Sequence, residues 1–218
     1  MISAVARLRR WLLPSISGLL ALWSAGSLVV PLGAADPLRV VLLVDSSSTM
    51  ATMLTEFRAG LLSFIDNIPD DVEVALISTG GQLRIRLAPT SDKQRMREAA
   101  SRFASDGGGN SFLDTMLESD KRFLRPARDR RHLFVVLTTD QPTLGEASIY
   151  AYNDFLQSFM QRRGRAHAVI IRGSNSGLAS QVLENLTKNT DGLFTIMTVP
   201  NSLAMRMREV AEQVAAQQ

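Results

Sequence analysis

The sequence predicts an α/β fold, a doubly wound and mostly parallel sheet with helices on both faces. Three observations predict it. Short apolar, β-branched runs alternate with amphipathic stretches from residue 38 to the C-terminus. The strand-like runs are nearly unbroken in their apolar character, as strands covered on both faces are. A single Gly-Gly turn early in the chain adds one antiparallel strand at an edge.

The elements follow in order. Leu38 to Val44 is the first buried strand. Leu54, Phe57, Leu61, Ile65 and Ile68 recur at spacings of three and four, giving a helix that Pro69-Asp70-Asp71 ends. Val72–Ser78 is a second strand, and Gly80-Gly81 turns into a third, Leu83–Leu87. The third alternates strictly, with Arg84 and Arg86 facing outward as suits an edge. Residues 92–104 form a helix with Met96, Ala99, Ala100 and Phe103 on one side. The loop Asp106-Gly107-Gly108-Gly109-Asn110 leads into a helix from Ser111 to about Phe123. Leu133–Thr138 is a strand, Ser148–Gln161 a helix, His167–Ile171 a strand and Leu178–Lys188 a helix. Leu193–Met197 is the last strand. A closing helix from Asn201 carries Leu203, Met207, Val210, Ala211 and Val214 on its apolar face, with the methionines of this stretch in the core.

The chain's net charge of +3 does not point to nucleic acid. Residues 1–35 hold Arg7, Arg9 and Arg10 and no acidic residue, so the remainder balances at 21 basic against 21 acidic residues. The leader has the form of an export signal: a basic start, an uncharged stretch from Trp11 to Ala35, and small residues at Gly33-Ala34-Ala35 before Asp36. Cleavage there leaves residues 36–218 as the mature domain. The alternative is an uncleaved anchor over residues 11–31, a run close to the ~20 residues that span a bilayer. Either reading places the domain outside the cytoplasm, secreted or in the cell envelope. The chain has no cysteine, which removes disulfides and thiol nucleophiles from consideration.

Ligands of open α/β sheets bind at the carboxyl ends of the strands. The first strand ends in Asp45-Ser46-Ser47-Ser48-Thr49-Met50, and the strand at 133–138 ends in Thr138-Thr139-Asp140. The loop Gly108-Gly109-Asn110-Ser111 opens a helix between them. Together they offer two carboxylates, several hydroxyls and an amide, all hard oxygen donors. That set favours Mg²⁺, or Mn²⁺ or Ca²⁺, over zinc or copper. Two carboxylates balance a divalent charge, and neutral hydroxyls leave the cation receptive to one more anionic oxygen.

Asp45-x-Ser47-x-Thr49-Met50 resembles the Asp-x-Ser-x-Ser signature of von Willebrand factor A domains, their metal-ion-dependent adhesion site. Gly108-Gly109-Asn110 stands where that family has Gly-Gly-Thr, and Phe112, Asp114 and Met116 fit the helix that follows. Asp140 stands where the family has the aspartate of a Thr-Asp-Gly turn, with Gln141 in place of the glycine. Asp191-Gly192-Leu193-Phe194 and the closing helix are similar to the end of bacterial members. The resemblance covers residues 38–215. It implies a sheet order 3-2-1-4-5-6 and a metal site of Asp45, Ser47, Thr49, Asn110 and Asp140. Ser47 and Thr49 would then touch the ion directly, Asp45 and Asp140 would act largely through water, and Ser111 is the alternative to Asn110. It further implies capture of a partner protein's Asp or Glu side chain, with no catalysis. A metal-independent scaffold in a cell-envelope complex is the second reading.

Enzyme signatures are missing. No Gly-x₄-Gly-Lys-Ser/Thr, Gly-x-Ser-x-Gly or Gly-x-Gly-x-x-Gly follows a strand. An aspartate-based, Mg²⁺-dependent phosphotransferase with Asp45 as nucleophile is the enzymatic rival. That chemistry uses a second carboxylate two residues on, where this chain has Ser47. The basic run Arg122, Arg125, Arg128, Arg130 and Arg131 reads as a solvated face diluted by Asp120 and Asp129. His132 and His167 lack any paired ligand spacing and read as structural.

Overall fold

The computed structural model describes residues 37–140, 145–172 and 177–216. The leader over residues 1–35 and Gln141 lie outside the described residues. Six strands form one sheet in the order β3-β2-β1-β4-β5-β6. They are β1 (Leu38–Val44), β2 (Glu73–Ser78), β3 (Arg84–Thr90), β4 (Arg131–Thr139), β5 (Arg165–Ile171) and β6 (Phe194–Met197). Every neighbouring pair is parallel except β2 with β3. The helices are α1 (Leu54–Asn67), α2 (Lys93–Ser101), α3 (Phe112–Ser119), α4 (Ile149–Gln161), α5 (Leu178–Asn189) and α6 (Leu203–Ala215). None of the described helices is long and apolar enough to cross a membrane.

The two-residue period of β1 explains the layering. Leu38, Val40, Leu42 and Val44 point into a core built with Phe57, Leu61, Phe64 and Ile65 of α1, Met96 of α2, and Leu203, Met207, Val210 and Val214 of α6. Val41 and Leu43 point into the opposite core, with Phe112 and Met116 of α3, Phe155 and Phe159 of α4, and Leu183 and Leu186 of α5. Both faces of the central strand are therefore dry, which is why its sequence shows no polar alternation.

Several sequence expectations need correction. Arg84 and Arg86 do not simply face outward: both form ion pairs with Asp106, at 2.9 and 2.6 Å. Register shifts between Val74 and Leu76 and between Leu76 and Ile77 break the ladder beside β3, leaving Ile85 exposed and Leu87 buried. Met205 is exposed, not in the core. The helix expected from Ser111 to Phe123 is α3 followed by a wider π turn over Asp120–Leu124, closed by Arg125 N donating to the Asp120 carbonyl at 2.9 Å.

His167, in β5, is buried, and its Nδ1 accepts from Leu193 N at 2.8 Å. Burial, helped by the nearby Arg165 charge, pushes its pKa down to about 4. In the unfolded chain the ring returns to about 6.5, so between these values only the unfolded state binds the proton. The stability that a neutral His167 provides is thus present above pH 6.5 and is lost as pH falls toward 4, by roughly 3 kcal/mol at the low end. His132 is shifted in the same direction, by burial first and then by Arg162, and adds to the slope. His167→Asn keeps an acceptor and removes the titration. Urea denaturation at pH 4.5 and 7 is expected to show a flatter pH dependence than the parent, and an unchanged slope would refute the assignment.

Candidate functional site

The sheet order places a topological switch between β1 and β4, whose chains leave in opposite directions at their carboxyl ends. Asp45 sits there. Its amide continues the ladder by donating to Leu137 O at 2.9 Å, and its carboxylate is fully buried. Oδ1 accepts from Ser47 N at 2.8 Å, which bends the chain into the loop. Oδ2 accepts from Thr139 N at 3.1 Å and from the Thr139 hydroxyl. Among the described residues no cation pairs with Asp45. The hydroxyl of Ser47 is buried and, among the described residues, has no hydrogen-bond partner. Thr49 is exposed and opens a short 3₁₀ turn, Thr49–Met53, pinned by the buried Met50.

The glycine loop is laced to this one. Ser48 N and Oγ both donate to Gly108 O at 3.1 Å, and Asp106 N donates to Ser46 O at 2.8 Å. Gly107 and Gly108 take φ of 75° and 67°, where a side chain would be strained. Asp106 is the fastening point: its Oδ2 accepts from the hydroxyls of Ser46 and Ser78, each at 2.8 Å, beside Arg84 and Arg86. Burial pushes its pKa up, but the two hydroxyls and Arg86 outweigh this and hold it below the usual carboxylate value. Asn110 spends both ends of its amide inside the protein. Oδ1 accepts from the Thr79 hydroxyl at 2.6 Å and Nδ2 donates to Thr138 Oγ1 at 2.8 Å. Ser111 Oγ donates to Gly81 O at 2.9 Å.

Asp140 follows β4, its amide donating to Ile171 O at 2.9 Å. Oδ1 accepts from Ser180 N, in the first turn of α5, at 3.1 Å. Oδ2 lies 3.5 Å from Arg172 Nε, an ion pair too long to satisfy either atom with a hydrogen bond.

Of the five residues expected from sequence, Asp45 and Ser47 are bonded directly. Asn110 joins them at one remove, through Thr138 beside Thr139. The Asp140 carboxylate is engaged by Ser180 and Arg172, and Thr49 stands exposed. Sequence reasoning missed Thr79, Asp106 as a fastener, and Arg172. Asp106 had one usable signal, an acid at the head of a glycine run; Arg172 had none. Among the described residues no group of three or more His, Cys, Asp or Glu side chains converges as a metal site. A cation here would rest mainly on hydroxyls and one or two carboxylates. A buried carboxylate without a counter-charge beside an orphaned buried hydroxyl fits such an ion.

Residues 40–142 match the family model described as von Willebrand factor type A domain. No match was found among curated proteins. Among solved structures, the chain is similar to a von Willebrand factor type A protein from Catenulispora acidiphila, at 19% identity and a TM-score of 0.69. That match covers 83% of this chain and 43% of the other, so this chain spans less than half of that relative. It is similar to the vWF domain of the type V pili tip protein Mfa5 from Porphyromonas gingivalis, at 11% identity and a TM-score of 0.66, covering 84% and 97% of the two chains. It also resembles proximal thread matrix protein 1 from the mussel byssus, described with a zinc-occupied MIDAS motif, at 16% identity and a TM-score of 0.65, covering 81% and 45%. At these identities the structural likeness speaks for the fold.

Proposed function

Starting from a von Willebrand factor type A domain, a family of protein–protein interaction modules, we propose that this chain captures an acidic side chain of a partner protein through a divalent cation held at the rim of β1 and β4. The proposal includes export: the leader directs the domain to the cell envelope or beyond it. The observation that carries the metal reading is the orphaned Ser47 hydroxyl beside the uncompensated Asp45 carboxylate. Ser47 and Thr49 would hold the ion directly, Asp45 and Asp140 would orient its water, and Asn110 would brace the glycine loop against Thr79 and Thr138. The bound ion would supply an electron-poor centre for one further carboxylate oxygen. The donors are oxygens throughout, which suits Mg²⁺ or Mn²⁺. Nothing in this arrangement asks for bond-making chemistry, and the family's members are generally not enzymes.

One observation favours the second reading, a metal-independent scaffold. Arg172 already neutralises Asp140, as a tethered cation. The two readings part on one experiment, calorimetric titration of the protein with Mn²⁺, for the parent and for Arg172→Gln. If the rim is a metal site, the parent gives saturable heat and Arg172→Gln binds about tenfold more tightly, because a competing positive charge has gone. No heat from either protein overturns the metal reading and leaves the scaffold.

A further inference from the structure

The basic run after α3 is more organised than a solvated face. Asp120 is fully buried, and its carboxylate gathers two arginines: Arg125 Nε at 2.7 Å, and Arg162 Nη2 at 2.8 and 2.9 Å. Arg162 spends its remaining donors inward, Nε on Ser158 O at 3.2 Å and Nη1 on His132 Nδ1 at 3.0 Å. His132 in turn donates through Nε2 to Ala127 O at 2.9 Å, which makes it the neutral tautomer that accepts at Nδ1. Its side chain therefore adds no charge and serves as a fixed wall.

Around this wall lies a cavity of about 470 Å³ lined by Arg125, Arg128, Arg130, His132, Ser158 and Arg162. Three of its guanidiniums have donors to spare. Among the described residues Arg125 is anchored by Nε alone, which leaves both its terminal nitrogens to donate elsewhere. Arg130 commits Nη2 to Glu73 at 2.9 Å and keeps Nη1. Arg128 is exposed and makes no ion pair or side-chain hydrogen bond among the described residues. Asp120 offsets one of the four positive charges, Glu73 is shared with Arg39, and the exposed Asp129 reaches Arg130 Nε only at 4.0 Å, so the cavity keeps a positive excess. Forked, planar donors converging on a pocket of this size match the several acceptor oxygens of a tetrahedral oxyanion.

We propose that this cavity is a phosphoryl-binding site, separate from the rim at β1 and β4. Arg125, Arg128 and Arg130 grip the oxygens, and Asp120 is the positioning residue that aims Arg125. The group arrives either as a free phosphate or as the phosphodiester of a lipid headgroup. The test is calorimetric titration of the full chain with inorganic phosphate and, in parallel, with glycerophosphoglycerol, the headgroup without its acyl chains. Saturable binding of at least one is expected. Arg125→Gln combined with Arg128→Gln should weaken it tenfold or more. A control pair on α6, Arg206→Gln with Arg208→Gln, should leave it unchanged. Tighter phosphate than diester identifies a free ligand, and the reverse order identifies a headgroup. Circular dichroism checks that both double variants keep the parent's fold. The proposal is overturned if neither probe saturates, or if the control pair weakens binding as much as the cavity pair.

Discussion

Asp45→Ala is expected to abolish Mn²⁺ binding while the domain still unfolds cooperatively. Asp45 ties Ser47, at the start of the loop, to Thr139, at the end of β4. Its removal leaves the Ser47 and Thr139 amides without their acceptor, at about 1–3 kcal/mol for each buried group left unmade. The net loss should be smaller than that sum, because a buried carboxylate without a counter-cation leaves with it. A divalent ion faces a sharper change, since the other carboxylate proposed to serve it, Asp140, is already paired with Arg172. The expected readout is at least a hundredfold loss of affinity by calorimetry, alongside a native near-UV circular dichroism spectrum. Parent-like metal heat in Asp45→Ala would place the ion elsewhere and remove the rim from the proposed function.

Gly192→Ala should be the most damaging alanine substitution among the described glycines. A Cβ at Gly192 would lie 1.6 Å from the carbonyl oxygen of Ala166, a backbone atom inside β5 that cannot swing aside. Gly192 follows Asp191, which already takes a φ of 52°, in the tight turn from α5 to β6. Relief requires the turn to lift off β5 and to weaken the pairing of β6, at about 3 kcal/mol or more. Gly81→Ala is the comparison. Its φ of 69° is strained for alanine, but an added Cβ meets nothing within 4 Å, so the cost should stay near 1 kcal/mol. Urea denaturation of the two variants measures the contrast directly. A Gly192→Ala protein as stable as Gly81→Ala would show that the close approach does not exist in solution.

Much of the fold could be read from the chain because the signals were local. The apolar run of Leu38–Val44 marks a central strand, and the spacing of Leu203, Met207, Val210 and Val214 marks a buried helix face. Asp45 was legible because it directly follows a buried strand at a sheet's binding edge. What escaped depended on distant partners. The alternation at Arg84 and Arg86 looked like an exposed edge, but the face they share meets Asp106, some twenty residues on, and both pair with it. Asp120 read as a diluting surface acid, but it lies buried in the π turn, paired with Arg125 and with Arg162 just past the end of α4. Arg172 near Asp140 was equally silent, since no spacing rule connects the ends of two neighbouring strands.

The fastening of Asp106 to Arg84 and Arg86 has a consequence for how the rim holds its shape. The glycine loop lies beside the central strand, yet both guanidiniums that pair with its Asp106 come from β3, an edge strand with a neighbour on one side only. Strain that peels back this margin would strip Asp106 of both counter-charges first, with Ser46 and Ser78 still bonded to it and β1 and β4 still seated. The charge balance at the rim's fastening point is thus set from the periphery, by the part of the sheet with the least support around it.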